Sequence, residues 1–161
     1  MKYTIELTGK QMRLMAKALE QHSRIICGHM NIHTVPAIDH TLNRVQYKEG
    51  ENWDKYMENR QKVEELLFEI KKCMFDGTDM GTDEWKHGNH GIGWDNEADM
   101  AYEMYKMILH TFENERQSKE GDEYQGNVHS TPPLHNSDQP LIKVNVKSDR
   151  ELKLERIVKD D

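Results

Sequence analysis

Asp95-Asn96-Glu97-Ala98-Asp99-Met100-Ala101-Tyr102-Glu103-Met104-Tyr105-Lys106-Met107-Ile108-Leu109-His110-Thr111-Phe112 carries the clearest structural signal in the chain. Ala98, Ala101, Tyr105, Ile108 and Phe112 recur at alternating steps of three and four, which lines one face of an α-helix. Asp95 or Asn96 supplies the N-cap. The spacing predicts a helix buried along that stripe.

Two further helices are legible upstream. Thr8 with Gln11 forms a capping-box pattern, and Met12, Met15, Leu19, His22 and Ile26 continue it to about Gly28, a residue suited to the left-handed turn that ends helices. Asn52 caps another helix through Trp53, Tyr56, Arg60, Val63, Leu67, Ile70 and Met74. Between them, Thr34-Val35-Pro36 forbids a helix across the proline, and Asp39 to Val45 reads as helix or as extended chain. Tyr3, Ile5 and Leu7 alternate with polar residues, as do Ile142, Val144 and Val146, so both segments read as strands with one buried face. Beyond Ser148 the pattern permits a helix or a hairpin, with Leu152 and Leu154 favouring the hairpin.

The expected fold class is therefore α+β, three main helices packed on a small sheet of N-terminal and C-terminal strands. Residues 1–112 are expected to form the helical core with its N-terminal strand. Residues 113–140 read as a polar linker or surface-lying segment, and 141–161 as a strand or hairpin completing the same domain.

Charged residues make up 32% of the 161 residues, against ~25% in typical soluble domains, so the core must be modest. A symmetric dimer would supply further burial, and self-association is expected. No stretch approaches the ~18 apolar residues of a membrane-crossing helix, so no membrane partner is expected. With two Cys and no basic leader ahead of an apolar run, the expected compartment is a reducing cytosol. The net charge of −7 makes nucleic acid an unlikely partner. Charge is uneven, however: Met1 to Gly50 has seven basic against four acidic residues, and Glu51 to Gln125 has nine against nineteen. A basic first third suits a small anion, because the local field decides a pocket.

Nine His invite comparison with metal and catalytic templates. His29 and His33 lack the Glu of the zinc-protease pattern, since Met30 stands there. His129-Ser130-Thr131 is one half of a two-histidine phosphoesterase pair, and Asp39-His40 reverses the metal phosphohydrolase dyad. Neither supports its enzyme. His87, His90, Asp95 and His110 would supply nitrogen and oxygen ligands to a divalent metal such as zinc, with a position left open for water. Cys27 and Cys73 lie among apolar neighbours, as small buried residues do.

The stretch Asp76 to Trp94 is Gly-rich and longer than most connections in compact domains, which marks a binding loop. Its glycines do not space as Gly-x-Gly-x-x-Gly. Trp94, with Trp85, would stack on a ring, and Ser23-Arg24 near the end of the first helix would meet a phosphate or carboxylate. The candidate ligand-binding residues are Ser23, Arg24, His90, Trp94 and Tyr105.

Glu6-Leu7-Thr8, Gln11, Ala16 to Arg24, Gly28, Gly91-Ile92 and Ala101-Tyr102-x-x-Tyr105-Lys106-x-Ile108, with the late Gly126, Pro133 and Pro140-Leu141, resemble a family of small uncharacterised proteins of tailed bacteriophages and prophages. The His-rich segments His29 to His40 and His87 to His90 depart from that pattern. The resemblance implies an accessory protein acting in the bacterial host cytoplasm, of a kind that often antagonises host defence.

Three functions stay open at this point. The leading one is a non-catalytic counter-defence binder that sequesters a small anionic or nucleotide-derived signalling molecule, with no cofactor. The second is a metal-dependent phosphodiester or nucleotide hydrolase built on the His/Asp cluster. The third is an acidic inhibitor of a host defence protein that presents Glu64, Glu65 and Glu69 as a nucleic-acid mimic.

Overall fold

The computed structural model describes residues 4–46, 53–76, 90–120, 129 and 131–146. Four helices follow one another in these residues: α1 Gly9–Ile26, α2 Pro36–Gln46, α3 Trp53–Met74 and α4 Asn96–Glu120. The expected sheet is absent among the described residues, and the α+β class is replaced by an all-helical one.

Local chemistry sets the ends of α1. Thr8 Oγ1 accepts the Gln11 N–H (3.3 Å) while Gln11 Oε1 accepts the Thr8 N–H (2.8 Å), closing the predicted capping box. At the other end Gly28 takes φ 79°, the His29 N–H returns to the Arg24 carbonyl (2.8 Å) and the Gly28 N–H to that of Ile25 (3.0 Å). This pair of bonds satisfies the orphan carbonyls and turns the chain away. α4 starts on Asp95, whose Oδ1 accepts the Ala98 N–H at 2.8 Å. Pro36 opens α2, where its missing N–H costs nothing.

α1 and α4 run antiparallel. Gly9 faces Phe112 at one end, where an added Cβ would come within 3.9 Å of the ring, and the His22 ring meets the Glu97 carboxylate at the other (2.7 Å). Between those ends Ala16, Tyr105 and Ile108 are buried, with Met12, Met15, Leu19, Tyr102, Leu109 and Phe112 around them. Ile108 is fully buried, so truncating it to Ala would cost about 2–5 kcal/mol. A second core joins α2 and α3 through Ile38, Leu42, Val63 and Leu67, closed by Met30 and Ile32 of the connecting segment. The Ile32 N–H donates to Glu64 Oε2 at 2.7 Å, which locks that segment to α3.

The overturned strand readings have a physical cause. Residues 141–146 are neither helix nor strand and pair with no strand among the described residues; Ile142 and Val144 lie instead on the α1/α4 core. An extended chain crossing helices presents alternate side chains to them just as a strand does to a sheet. Ile5 is 73% exposed, so the alternation at Ile5 and Leu7 marks no buried face; Tyr3 lies outside the described residues. The ambiguous run after Pro36 is helix, which raises the expected three helices to four. α4 also runs on to Glu120, into the stretch read as linker. The hairpin expected beyond Ser148 lies outside the described residues, as do Trp85 and His87.

Candidate functional site

The expected ligand-binding residues fall into two separate groups. His90 and Trp94 form the first. Their rings stack at 3.8 Å and 9° from parallel, with Phe75, in the turn just after α3, tilted against His90 at 5.5 Å. The His90 N–H donates to the Cys27 carbonyl (3.1 Å), and the Gly93 N–H is shared by both oxygens of buried Asp99 (2.8 and 3.0 Å). This loop is therefore pinned to α1, α3 and α4 together. His90 covers one face of Trp94, which remains 51% exposed. Burial first, then Asp99 and Asp95, pushes the Cys27 thiol up, away from a nucleophilic thiolate.

Arg24 and Tyr105 belong to the second group, on the α1/α4 seam. Arg24 is tied to Glu20 one turn earlier, with its Nε and Nη2 both donating to Oε1 at 3.1 and 2.9 Å. Tyr105 is buried, and its hydroxyl is pushed up by burial and by Glu20, against the opposing charge of Arg24. Tyr102 meets Tyr105 edge to face at 5.4 Å, and Lys106 Nζ lies 5.8 and 5.7 Å from those two ring centres. Burial lowers the Lys106 ammonium; Glu20 acts to raise it and Arg24 to lower it. Among the described residues no carboxylate lies within ion-pair distance of Lys106.

His129 completes this group. Its carbonyl accepts from His110 Nδ1 at 2.8 Å, while His110 Nε2 receives the Asn114 amide at 3.1 Å. Burial and then Lys106 lower the His129 imidazole, with Glu20 and Glu113 opposing. Ser23 is buried in the inner face of α1. No hydrogen bond, ion pair or ring contact among the described residues joins His90 or Trp94 to Arg24 or Tyr105.

The metal cluster does not assemble from the described residues. Asp95 and His110 stand at opposite stations of one helix, about 22 Å apart along its axis at 1.5 Å per residue. His110 has both ring nitrogens engaged, and Asp95 caps α4. Among the described residues no three His, Cys, Asp or Glu side chains converge as a metal site. Of the acidic residues read as a mimic, Glu64 holds Ile32, while Glu65 and Glu69 are exposed and accept from Gln61 (3.0 Å) and Lys72 (2.8 Å) of the same helix.

Sequence reasoning passed over Glu20, Lys106 and Glu103. Glu103 is buried on the side of α4 away from its apolar stripe. Its carboxylate receives the N–H of Asn136 (2.5 Å) and of Ser137 (2.7 Å), the Ser137 hydroxyl (2.6 Å) and the His135 ring (3.2 Å). Asn96 and Asp138 exchange two further bonds at 2.9 Å, so residues 135–139 are strapped across the helix. The signal was Asn96, Asp99 and Glu103 at steps of three and four, which reads as solvated until the strap is seen to cover it.

The chain matches no family model, no curated protein and no solved structure.

Proposed function

We propose that this chain is a non-catalytic binding protein that holds a small anionic, nucleotide-like ligand on the α1/α4 seam, with Arg24 and Lys106 meeting charge and Tyr102 and Tyr105 supplying ring faces. The observation that carries this reading is Lys106: a half-buried ammonium, set over two tyrosine rings, with no carboxylate at ion-pair distance among the described residues. A buried charge is costly without a partner, and an anion is the partner this geometry lacks. Arg24, whose planar fork suits phosphate and carboxylate alike, acts on the same group. In the phage setting that the sequence resemblance implies, the role would be capture of a nucleotide-derived defence signal in the host cytoplasm.

Native mass spectrometry of the protein after incubation with a nucleotide-rich extract of infected cells tests this. A small mass retained by the wild type, lost in Lys106→Met and released intact on denaturation, is the expected result. Altered nucleotide products, or retention indifferent to Lys106, would overturn it.

A further inference from the structure

α3 carries a second apolar stripe that the fold leaves in water. Leu67 is buried on the side that meets α2, with Val63 partly covered beside it. Next to that side Leu66 is 63% exposed, Ile70 47% and Met74 48%, and Cys73 is exposed as well. From Val63 these residues recur at steps of three and four, so they share one flank of the helix. A lone exposed Leu is ordinary, whereas a row of apolar side chains along one helix marks an interaction surface.

The charges bordering this stripe say what covers it. Lys62 and Glu69 are exposed on its solvent side, each paired with a neighbour on its own helix, Glu58 and Lys72. They stand before and after Leu66 with opposite signs, which makes the stripe complementary to itself. We propose that it is a homodimer interface, in which α3 packs antiparallel on a second copy of α3 about a two-fold axis at Leu66. Leu66 then meets the partner's Leu66, Ile70 the partner's Val63 and Lys62 the partner's Glu69, each level to within one residue's rise of about 1.5 Å. A parallel pairing would instead set Lys62 level with the partner's Lys62 and Glu69 with the partner's Glu69. The dimer removes from water the apolar groups that a core limited by 32% charged residues leaves out. It is independent of the ligand reading, since Arg24, Tyr102, Tyr105 and Lys106 all lie on α1 and α4.

Analytical ultracentrifugation of the full chain over a dilution series tests this. The wild type is expected at twice the chain mass when concentrated and at the chain mass when dilute. Ile70→Glu places two charges in the apolar seam and should weaken the dimer at least ~tenfold. In the dilute monomer Ile70 is exposed, so the variant should there match the circular dichroism and thermal midpoint of wild type. Lys62→Glu and Glu69→Lys should each weaken association roughly threefold, and the double swap should restore it. Leu66→Cys, at the axis, should link two chains under mild oxidation, whereas native Cys73, well past the axis, should not. A monomer at every concentration overturns the proposal and leaves the face to a different protein. A dimer indifferent to Ile70→Glu overturns it too. A dimer linked through Cys73, or a double swap that fails to restore association, overturns the antiparallel arrangement.

Discussion

The imidazole of His90 lies flat on the indole of Trp94, 3.8 Å between ring centres and 9° from parallel. That stack joins the loop before α4 to the end of α3 through Phe75, and the His90 N–H joins it to the end of α1 through the Cys27 carbonyl. His90 is thus the clip between the two helix pairs. His90→Ala should cost about 1–2 kcal/mol, the worth of a stacked aromatic pair with its share of burial. Urea unfolding read by Trp fluorescence measures it. His90→Phe should retain most of that stability, because His90 Nε2 is buried with no hydrogen-bond partner among the described residues and the substitution removes that nitrogen while keeping a ring.

Glu103 is the anchor of the strap. Glu103→Ala strands the N–H and hydroxyl of buried Ser137 and releases the N–H of the exposed Asn136, and should destabilise by about 2 kcal/mol, since each buried donor left unmade costs about 1 kcal/mol or more. Glu103→Gln keeps one acceptor oxygen and should lose less. Hydrogen exchange distinguishes a local from a global effect: the Asn136 and Ser137 amides are expected to lose protection in both variants, while the α1 amides slow in exchange as in wild type.

Acid should weaken the fold through two groups of the same sign. Burial opposes the charge of Glu103, but the Ser137 hydroxyl and N–H, the Asn136 N–H and the His135 ring outweigh it, holding its carboxyl below the ordinary 4.5. Its contribution is present above that ordinary value and is lost as pH falls through the lower folded one. Burial, then Lys106, holds His129 below its ordinary 6.5, so protonation favours the unfolded chain and stability is lost as pH falls below 6.5. Thermal unfolding from pH 7 to pH 4 should show midpoints that fall throughout. His129→Gln is expected to flatten the upper part of that fall and Glu103→Gln the lower part.

The sequence made legible what depends on neighbours along the chain. The Thr8–Gln11 box, the Gly28 stop, the Asp95 cap and the Ala98 to Phe112 stripe are all local, and the structure holds each of them. What depended on partners was not legible. Ile142 and Val144 alternate with polar residues, and only the surface beneath them distinguishes sheet from helices. Arg24 and Tyr105 share a seam because the α1/α4 crossing brings both to it, whereas His90 and Trp94 stack on each other instead of joining them.

Lys106 gives the sharpest separation between binding and stability. Its ammonium is half-buried between Tyr102 and Tyr105, and burial lowers its affinity for a proton, so the folded chain bears a desolvation cost there. Lys106→Met keeps the aliphatic stem against the rings while removing the charge. If the site exists to receive an anion, that variant should be as stable as wild type or more so, by about 0.5–1 kcal/mol, while binding pyrophosphate at least tenfold more weakly. Arg24→Met should also weaken binding, yet it frees Glu20 from its partner and gains no stability. Thermal unfolding paired with calorimetric titration reads both quantities on the same samples. A Lys106→Met protein that loses stability and binding together would instead make the lysine a structural cation whose attraction to the tyrosine rings holds the seam.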